Sequence, residues 1–168
     1  MKEIRDYSTE EFSTFSADFM SKNIGLKQNL EENIILKAHV ISEFTLNCYI
    51  ESISKSCKLN MFKQNITYSK KIFLAEEFGD LPVEIIEILK KLNKIRNEYA
   101  HRLILDNEKL ENLYHQIIKL HNKNNQSIIL NKNDIIEYFK NTSYLLSYIN
   151  GYIFGLYKKE KNKSQNRI

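Results

Sequence analysis

The chain has 168 residues, of which 42% are hydrophobic and 27% are charged, with four glycines, one proline and two cysteines. This length and composition indicate one domain with a hydrophobic core, and two cysteines are too few for a disulfide-stabilised fold. The formal net charge is +4, and residues 158–168 alone carry a net charge of +4. The positive and negative charges of the other residues therefore cancel, so their charge does not indicate a nucleic-acid-binding domain.

Hydrophobic periodicity and turn residues predict six helices and no strand. Ser8 and Glu11 form a capping-box pattern at the start of the first helix, and Gly25 is expected to end it. The second helix is apolar on most of its circumference, which is typical of a central helix. Gly79 separates the third and fourth helices, and Pro82 suits the first turn of the fourth. The expected helices cover about residues 8–22, 28–56, 67–78, 80–104, 107–122 and 133–159. The sequence therefore predicts an all-α fold, a single-domain bundle of five to six helices.

The helical domain is expected to span residues 1–157, and residues 158–168 are expected to form a basic, disordered tail. Such a tail can add salt-sensitive attraction to nucleic acid. The N-terminal residues are acidic and polar, unlike those of a signal peptide, and no run of 18 apolar residues occurs. We therefore expect a cytoplasmic protein that does not enter a membrane.

The fourth predicted helix has an apolar stripe and a polar face. At 100° per residue, the apolar stripe comprises Ile85, Ile88, Leu92, Ile95 and Tyr99. The opposite face comprises Lys90, Asn93, Lys94, Asn97 and His101. Arg96 lies at the border between the two. Because Arg96 and His101 are five residues apart, they point about 140° away from each other on a regular helix. A second copy of this helix, lying alongside, can complete a site that one helix does not form alone.

Arginine and histidine near the end of a helix have two interpretations. They are favoured there by the helix dipole, and a polar face is commonly no more than a solvated one. Alternatively, histidine acts as a general base or acid, and arginine binds a phosphate and stabilises developing charge. One imidazole and one guanidinium are sufficient for metal-independent RNA cleavage. Two copies of one histidine at a two-fold axis supply both the base and the acid.

The segment RNEYAH, residues 96–101, resembles the R-x4-H signature of the HEPN superfamily of small helical bundles. Residues 70–101 are also similar to the mannitol-operon-repressor-like branch, in which a short helix and a glycine turn precede a helix ending in IRN-x3-H. Residues 37–51 resemble the long early helix of that branch. The resemblance covers about residues 30–122 and implies a bundle that forms dimers, with two motifs facing each other across the dimer cleft.

The resemblance implies a ribonuclease, since many HEPN proteins are RNases of toxin–antitoxin or phage-defence systems. By position, Arg96 and His101 are catalytic and Asn97 orients them. The candidate RNA contacts are Lys90, Asn93, Lys94 and Arg102. The candidate residues that support the site from behind are His39, Glu43 and Tyr99. The expected partners are an RNA substrate, a second copy in a homodimer, and an antitoxin or a larger defence complex. No cofactor is expected.

Two alternatives remain beside the ribonuclease interpretation. The mannitol-repressor-like branch implies a non-catalytic regulator or binding module that acts through protein partners. The second alternative is a structural subunit that docks to a larger complex through its tail and its tyrosine-rich last helix. One HEPN toxin subgroup, paired with nucleotidyltransferase antitoxins, carries a tyrosine two residues after the histidine. That position is Leu103 here, so regulation by modification of such a tyrosine is not expected.

Other polar residues have weaker functional patterns. His39 and Glu43 lie four residues apart on the buried second helix, either as a hydrogen-bonded core pair or as a pair that lines the site. The remaining histidines, His115 and His121, lack paired carboxylates at ligand spacing, so no metal site is expected. Tyrosines recur at every fourth position of the last helix, a pattern typical of packing and less often of base stacking. They are Tyr144, Tyr148 and Tyr152.

Overall fold

The computed structural model describes residues 3–21, 30–54, 60–122 and 128–165. Within these ranges the chain contains six α-helices, one short 3-10 helix and no strand, which confirms the predicted all-α bundle. The 3-10 helix is Ile4–Asp6, and the α-helices are α1 (Thr9–Ser21), α2 (Leu30–Ile53), α3 (Tyr68–Phe78), α4 (Val83–Arg102), α5 (Asn107–Asn122) and α6 (Ile135–Gln165). None of the helices in this part of the chain has both the length and the apolar character needed to cross a bilayer.

The first helix begins with the predicted capping box. The backbone N–H of Ser8 donates to Glu11 Oε2 at 2.6 Å, and the N–H of Glu11 donates to Ser8 Oγ at 3.1 Å. These bonds satisfy two of the donors that a helix start leaves without an intrahelical partner. Gly25, the expected end of this helix, lies outside the described residues.

The core is built around α2 and α6, which make the most extensive helix–helix contact in the described chain. Phe12 of α1 stacks on Phe154 of α6 with ring centroids 4.0 Å apart, and Leu46 of α2 is fully buried. Because α2 also packs against α1, α3 and α4, most of its circumference is covered. This agrees with its apolar sequence on nearly all sides.

The turn between α3 and α4 is closely packed. Tyr49 Oη, on α2, accepts a hydrogen bond from the backbone N–H of Asp80 at 2.7 Å, directly after Gly79. Pro82 immediately precedes the first residue of α4, so the helix begins about three residues later than expected. Leu103 adopts a left-handed conformation, with φ 55°, and its N–H donates to Tyr99 O. That C-cap ends α4 at Arg102, close to the expected end.

The last helix extends further than the sequence predicted. The tail expected to be disordered from residue 158 is helical as far as Gln165, and residues 166–168 lie outside the described part. The N-terminal 3-10 helix lies beside this end of α6: Tyr157 Oη and Lys158 Nζ both donate to the carbonyl oxygen of Arg5, at 3.3 and 2.9 Å, and Lys161 Nζ lies 3.9 Å from Asp6 Oδ1. These contacts between distant parts of the chain favour helix over coil at this end of α6.

Candidate functional site

The predicted apolar stripe of α4 faces the core. Ile85, Ile88, Leu92 and Ile95 are all buried, whereas Tyr99, the last member of the stripe, is half-buried. Packing of this stripe against the bundle directs the opposite face of α4 outwards. The helix therefore presents its polar side chains from a rigid, well-anchored element.

An open groove of about 430 Å³ runs along the polar face of α4. It brings together most of the residues that the sequence singled out, and adds one carboxylate, Glu98. The lining residues are Lys90, Asn93, Lys94, Asn97, Glu98, His101 and Arg102. Arg96 does not line the groove itself, in agreement with its position at the border of the face.

Arg96 is connected to the groove through the side chain of Asn97. Arg96 Nη1 donates to Asn97 Oδ1 at 3.1 Å, and Asn97 Nδ2 donates to Asn93 Oδ1 at 3.4 Å. Asn93 Nδ2 donates in turn to Ser69 Oγ of α3 at 2.9 Å, and its Oδ1 also lies 3.3 Å from His39 Nε2 of α2. The guanidinium is thus held by a chain of hydrogen bonds that crosses three helices.

His101 is exposed, and it forms no hydrogen bond or ion pair with any described residue. Asn97, predicted to orient both members of the motif, bonds to Arg96 and Asn93, and within the described ranges it makes no hydrogen bond to the His101 ring. The reason is that the side chain of Asn97 is engaged by the residues immediately before it and one turn before it. Within the described chain, Arg96 and His101 are not brought into contact.

The groove contains two cations that no carboxylate of the described residues neutralises. Lys94 and Arg102 are exposed and form no ion pair within the described ranges. Lys90 differs, because its Nζ lies 2.7 Å from a carboxylate oxygen of Glu76. The acidic residue of the groove, Glu98, is paired with Lys109 of α5 at 2.6 Å. Among the described residues, the local charge of the groove is therefore positive at Lys94 and Arg102.

Asn93, a predicted RNA contact, borders the groove and also bonds within the fold. Its amide oxygen and its amide nitrogen bond to protein groups on α2, α3 and α4, so most of its hydrogen-bonding capacity is used there. Asn93 thereby joins the three helices behind Arg96.

The predicted pair of His39 and Glu43 is not formed. Glu43 bonds instead to the buried Nζ of Lys71 at 2.6 Å, while His39 turns towards Asn93 and its ring lies against that of Tyr68, with centroids 4.1 Å apart. Four-residue spacing brings two side chains near each other, but here each of them bonds to a residue on another helix. Glu43 bonds to Lys71 of α3, and His39 bonds to Asn93 of α4. Burial lowers the pKa of His39 below its ordinary value, and the nearby Arg96 charge acts in the same direction.

Several residues of this region had no signal in the sequence. They lie in the first turn of α3, and the sequence there predicts only the start of an amphipathic helix. These residues are Tyr68, Ser69 and Lys71. Ser69 and Lys71 meet their partners across 24 and 28 residues of chain. No periodicity within one helix predicts such contacts, because they depend on how α3 packs between α2 and α4.

The histidines of α5 lie away from the groove. His121 is buried, with its Nε2 3.4 Å from Tyr144 Oη and its ring edge-to-face with that of Tyr148, whereas His115 is exposed. Tyr148 is half-buried, but Tyr144 and Tyr152 remain 47% and 38% exposed, so the stripe packs only in part. Among the described residues no group of three or more His, Cys, Asp or Glu side chains has the geometry to hold a metal ion.

The polar face of α4 thus presents one imidazole, one guanidinium and two ammonium groups along a single groove, with the Arg96 guanidinium at its border. Comparison of the chain with protein-family profiles, with curated proteins and with solved structures finds no match.

Proposed function

We propose that this protein is a metal-independent endoribonuclease of the HEPN type, a cytoplasmic toxin or antiviral-defence effector that acts as a dimer. One observation carries the proposal: His101 shares a face of α4 with Lys94 and Arg102, none of the three has a hydrogen-bond or ion-pair partner among the described residues, and Arg96, held by Asn97, lies beside them. The R-x4-H resemblance supports the same assignment. The expected substrate is RNA, since the 2′-hydroxyl supplies the nucleophile and no metal or cofactor is needed.

The reaction divides the work between two histidines. His101 of one copy removes the proton from a 2′-hydroxyl, and the 2′-oxygen attacks the adjacent phosphorus. The bond from phosphorus to the 5′-oxygen breaks, and His101 of the second copy donates a proton to that leaving oxygen. Arg96 stabilises the charge that develops on the phosphoryl oxygens. The products are a 2′,3′-cyclic phosphate and a 5′-hydroxyl end.

The geometry of a single α4 supports a dimer. Residues five apart diverge by about 140° on a helix, and Arg96 makes its contact with Asn97 and not with His101. In addition, one imidazole cannot be the base for the 2′-hydroxyl and the acid for the 5′-oxygen at the same time, so the reaction needs two of them. Two α4 helices related by a two-fold axis place both histidines and both arginines around one phosphate.

Cleavage of RNA in the presence of EDTA tests the activity. The wild-type protein is expected to cut RNA and leave 2′,3′-cyclic phosphate ends, whereas Arg96→Ala and His101→Ala lower the rate by at least about 100-fold. His115→Ala is the matched control, because His115 is an exposed histidine on α5 away from the groove. Cleavage that EDTA abolishes, or that persists in His101→Ala, contradicts the proposal.

Mixing of subunits tests the composite site. If one phosphate requires His101 from both copies, an excess of His101→Ala protein inactivates the wild-type subunits by forming mixed dimers. The activity per wild-type subunit is then expected to fall as the variant is added. Constant activity per wild-type subunit, in a mixture shown to exchange subunits, contradicts a shared site.

A non-catalytic regulator or binding module is the second candidate. Large apolar side chains are exposed at both ends of α4, with Val83 63%, Leu103 76% and Ile104 72% accessible. Such residues, next to a charged groove, are suited to a protein partner. This candidate is favoured if the purified protein does not cleave RNA and its expression causes no growth defect.

A further inference from the structure

We propose that His39, as a neutral ring that donates from Nε2, is a positioning residue that sets the place of the Arg96 guanidinium through Asn93 and Asn97. His39 lies on α2 and is 6% exposed, so it acts from inside the fold and touches no substrate. The inference rests on the proposed function for its catalytic consequence. Its structural part, the connection from His39 to Arg96, is independent of any activity.

The relay is the set of hydrogen bonds that links His39 to Arg96 through Asn93 and Asn97, and its donors converge on Asn93 Oδ1 from both sides. Arg96 has only donors, so Asn97 Oδ1 must accept from it, which directs Asn97 Nδ2 towards Asn93 Oδ1. Asn93 Oδ1 is an acceptor, so the His39 nitrogen 3.3 Å away must carry a proton. An Nε2–H ring is thus the form of His39 that completes the relay.

The ring of His39 is held firmly enough to serve as an anchor. Tyr68 covers one face, with the two ring centroids 4.1 Å apart. Ser42 Oγ donates to the carbonyl oxygen of His39 at 2.8 Å, and since that uses its only proton, Tyr68 Oη donates to Ser42 Oγ at 2.6 Å. Both the backbone and the ring of His39 are therefore fixed by groups on α2 and α3.

The charges around His39 favour the neutral ring. Arg96 on α4 and Lys71 on α3 face it as cations, Glu43 on its own helix faces it as an anion, and Tyr68 is uncharged. Glu43 is already paired with Lys71. A proton on His39 would place a third positive charge in this buried region, next to the guanidinium that the relay must hold. The relay thus combines a proton on Nε2 with no net charge on the ring.

Three variants separate positioning from general destabilisation. His39→Gln keeps an N–H donor near the position of Nε2, and His39→Leu removes it while keeping the volume similar. His121→Leu is the matched control, because His121 is also buried and hydrogen-bonded but lies between α5 and α6, away from Arg96. For each protein we would record the melting temperature, the NMR resonance of Arg96 Nε–H, and kcat and KM for RNA cleavage.

The expected result is a shifted Arg96 resonance and a five- to tenfold lower kcat in His39→Leu, about the effect of one lost hydrogen bond, with KM unchanged. His39→Gln is expected to restore both, and His121→Leu to leave both as in wild type at a comparable loss of stability. NMR of labelled histidine in the wild-type protein should show His39 neutral with its proton on Nε2, which needs no variant to fold.

Two results overturn the inference, and both are independent of activity. They are an Arg96 resonance that does not move in His39→Leu and a His39 ring protonated on Nδ1 alone. If the wild-type protein does not cleave RNA but the Arg96 resonance moves as expected, the proposed function is wrong and the positioning of Arg96 by His39 is supported.

Discussion

Replacement of Gly79 by alanine is a direct test of the packing that holds α4, and with it the groove, against the bundle. A Cβ at Gly79 would lie 2.6 Å from Tyr49 Oη and 2.7 Å from the carbonyl oxygen of Ala75. Gly79 itself has φ −122° and ψ 175°, an extended conformation open to any residue. The cost of the substitution therefore comes from contact and not from backbone strain.

The magnitude follows from the two groups that must move. Overpacking by one methyl group in a close-packed site costs about 1–3 kcal/mol. Tyr49 is 1% exposed, and displacement of its hydroxyl breaks the 2.7 Å bond from Asp80 N–H, for about 1 kcal/mol more. The expected loss is about 3 kcal/mol in the free energy of unfolding. For a chain of this size that lowers the melting temperature by roughly 6–12 °C.

Calorimetry or circular dichroism measures the melting temperature, and two further variants serve as controls. Gly151→Ala places its Cβ no closer than 3.9 Å to Ser13 Oγ in the middle of α6, so it is expected to be neutral or to stabilise by up to about 1 kcal/mol. Tyr49→Phe alone should cost about 1 kcal/mol. A Gly79→Ala protein that melts within about 2 °C of wild type would refute the close approach of Gly79 and Tyr49.

Three further predictions concern stability. Ser8→Ala removes the Oγ that accepts from the Glu11 N–H in the capping box of α1 and is expected to lower the free energy of unfolding by about 1 kcal/mol in thermal or urea denaturation; no change would show that this cap is not formed in solution. Glu43→Gln leaves the Lys71 ammonium, whose side chain is 5% exposed, without its carboxylate, and is expected to cost about 3 kcal/mol. Adding Lys71→Met should restore most of that loss, and a double variant no more stable than Glu43→Gln contradicts the explanation. The pKa of His39 is lowered by burial and by Arg96, so the unfolded chain binds the proton more readily. The stability due to neutral His39 is thus complete above its ordinary pKa of 6.5 and is lost as the pH falls through the folded value. Melting temperatures at about pH 7.5 and 5.5 should differ less in His39→Gln than in wild type, and an equal difference would refute this role.

Most of the secondary structure could be predicted from the sequence, because its signals are local. The Ser8 and Glu11 pair, the Gly79 turn before Pro82, and the apolar stripe of α4 all act over three to four residues, and the structure confirms each of them. Helix α6 continues to Gln165, beyond the expected end near residue 159. The N-terminal residues that lie beside this end are distant in sequence: Lys158 bonds to Arg5 across 153 residues, and Lys161 lies near Asp6.

The candidate site was predictable only in part. The sequence placed Asn97 and His101 on an outward face and Arg96 at its border, as the structure has them. The assignment of His39 to Glu43 failed, since spacing within a helix identifies possible neighbours and not the partners that other helices offer. Nothing in the sequence indicated that Asn93, the predicted RNA contact at the groove, bonds to residues of α2, α3 and α4.

The sequence by itself determined the helices, the central place of α2, and the face of α4 on which the motif lies, because helix formation and amphipathicity depend on residues within one or two turns. Only the tertiary structure decided what stands behind the motif. The His39 ring meets Asn93 across 54 residues of chain, and Lys71 takes Glu43 across 28. Such pairs depend on the register in which three helices pack, a property of the whole core that no single segment contains.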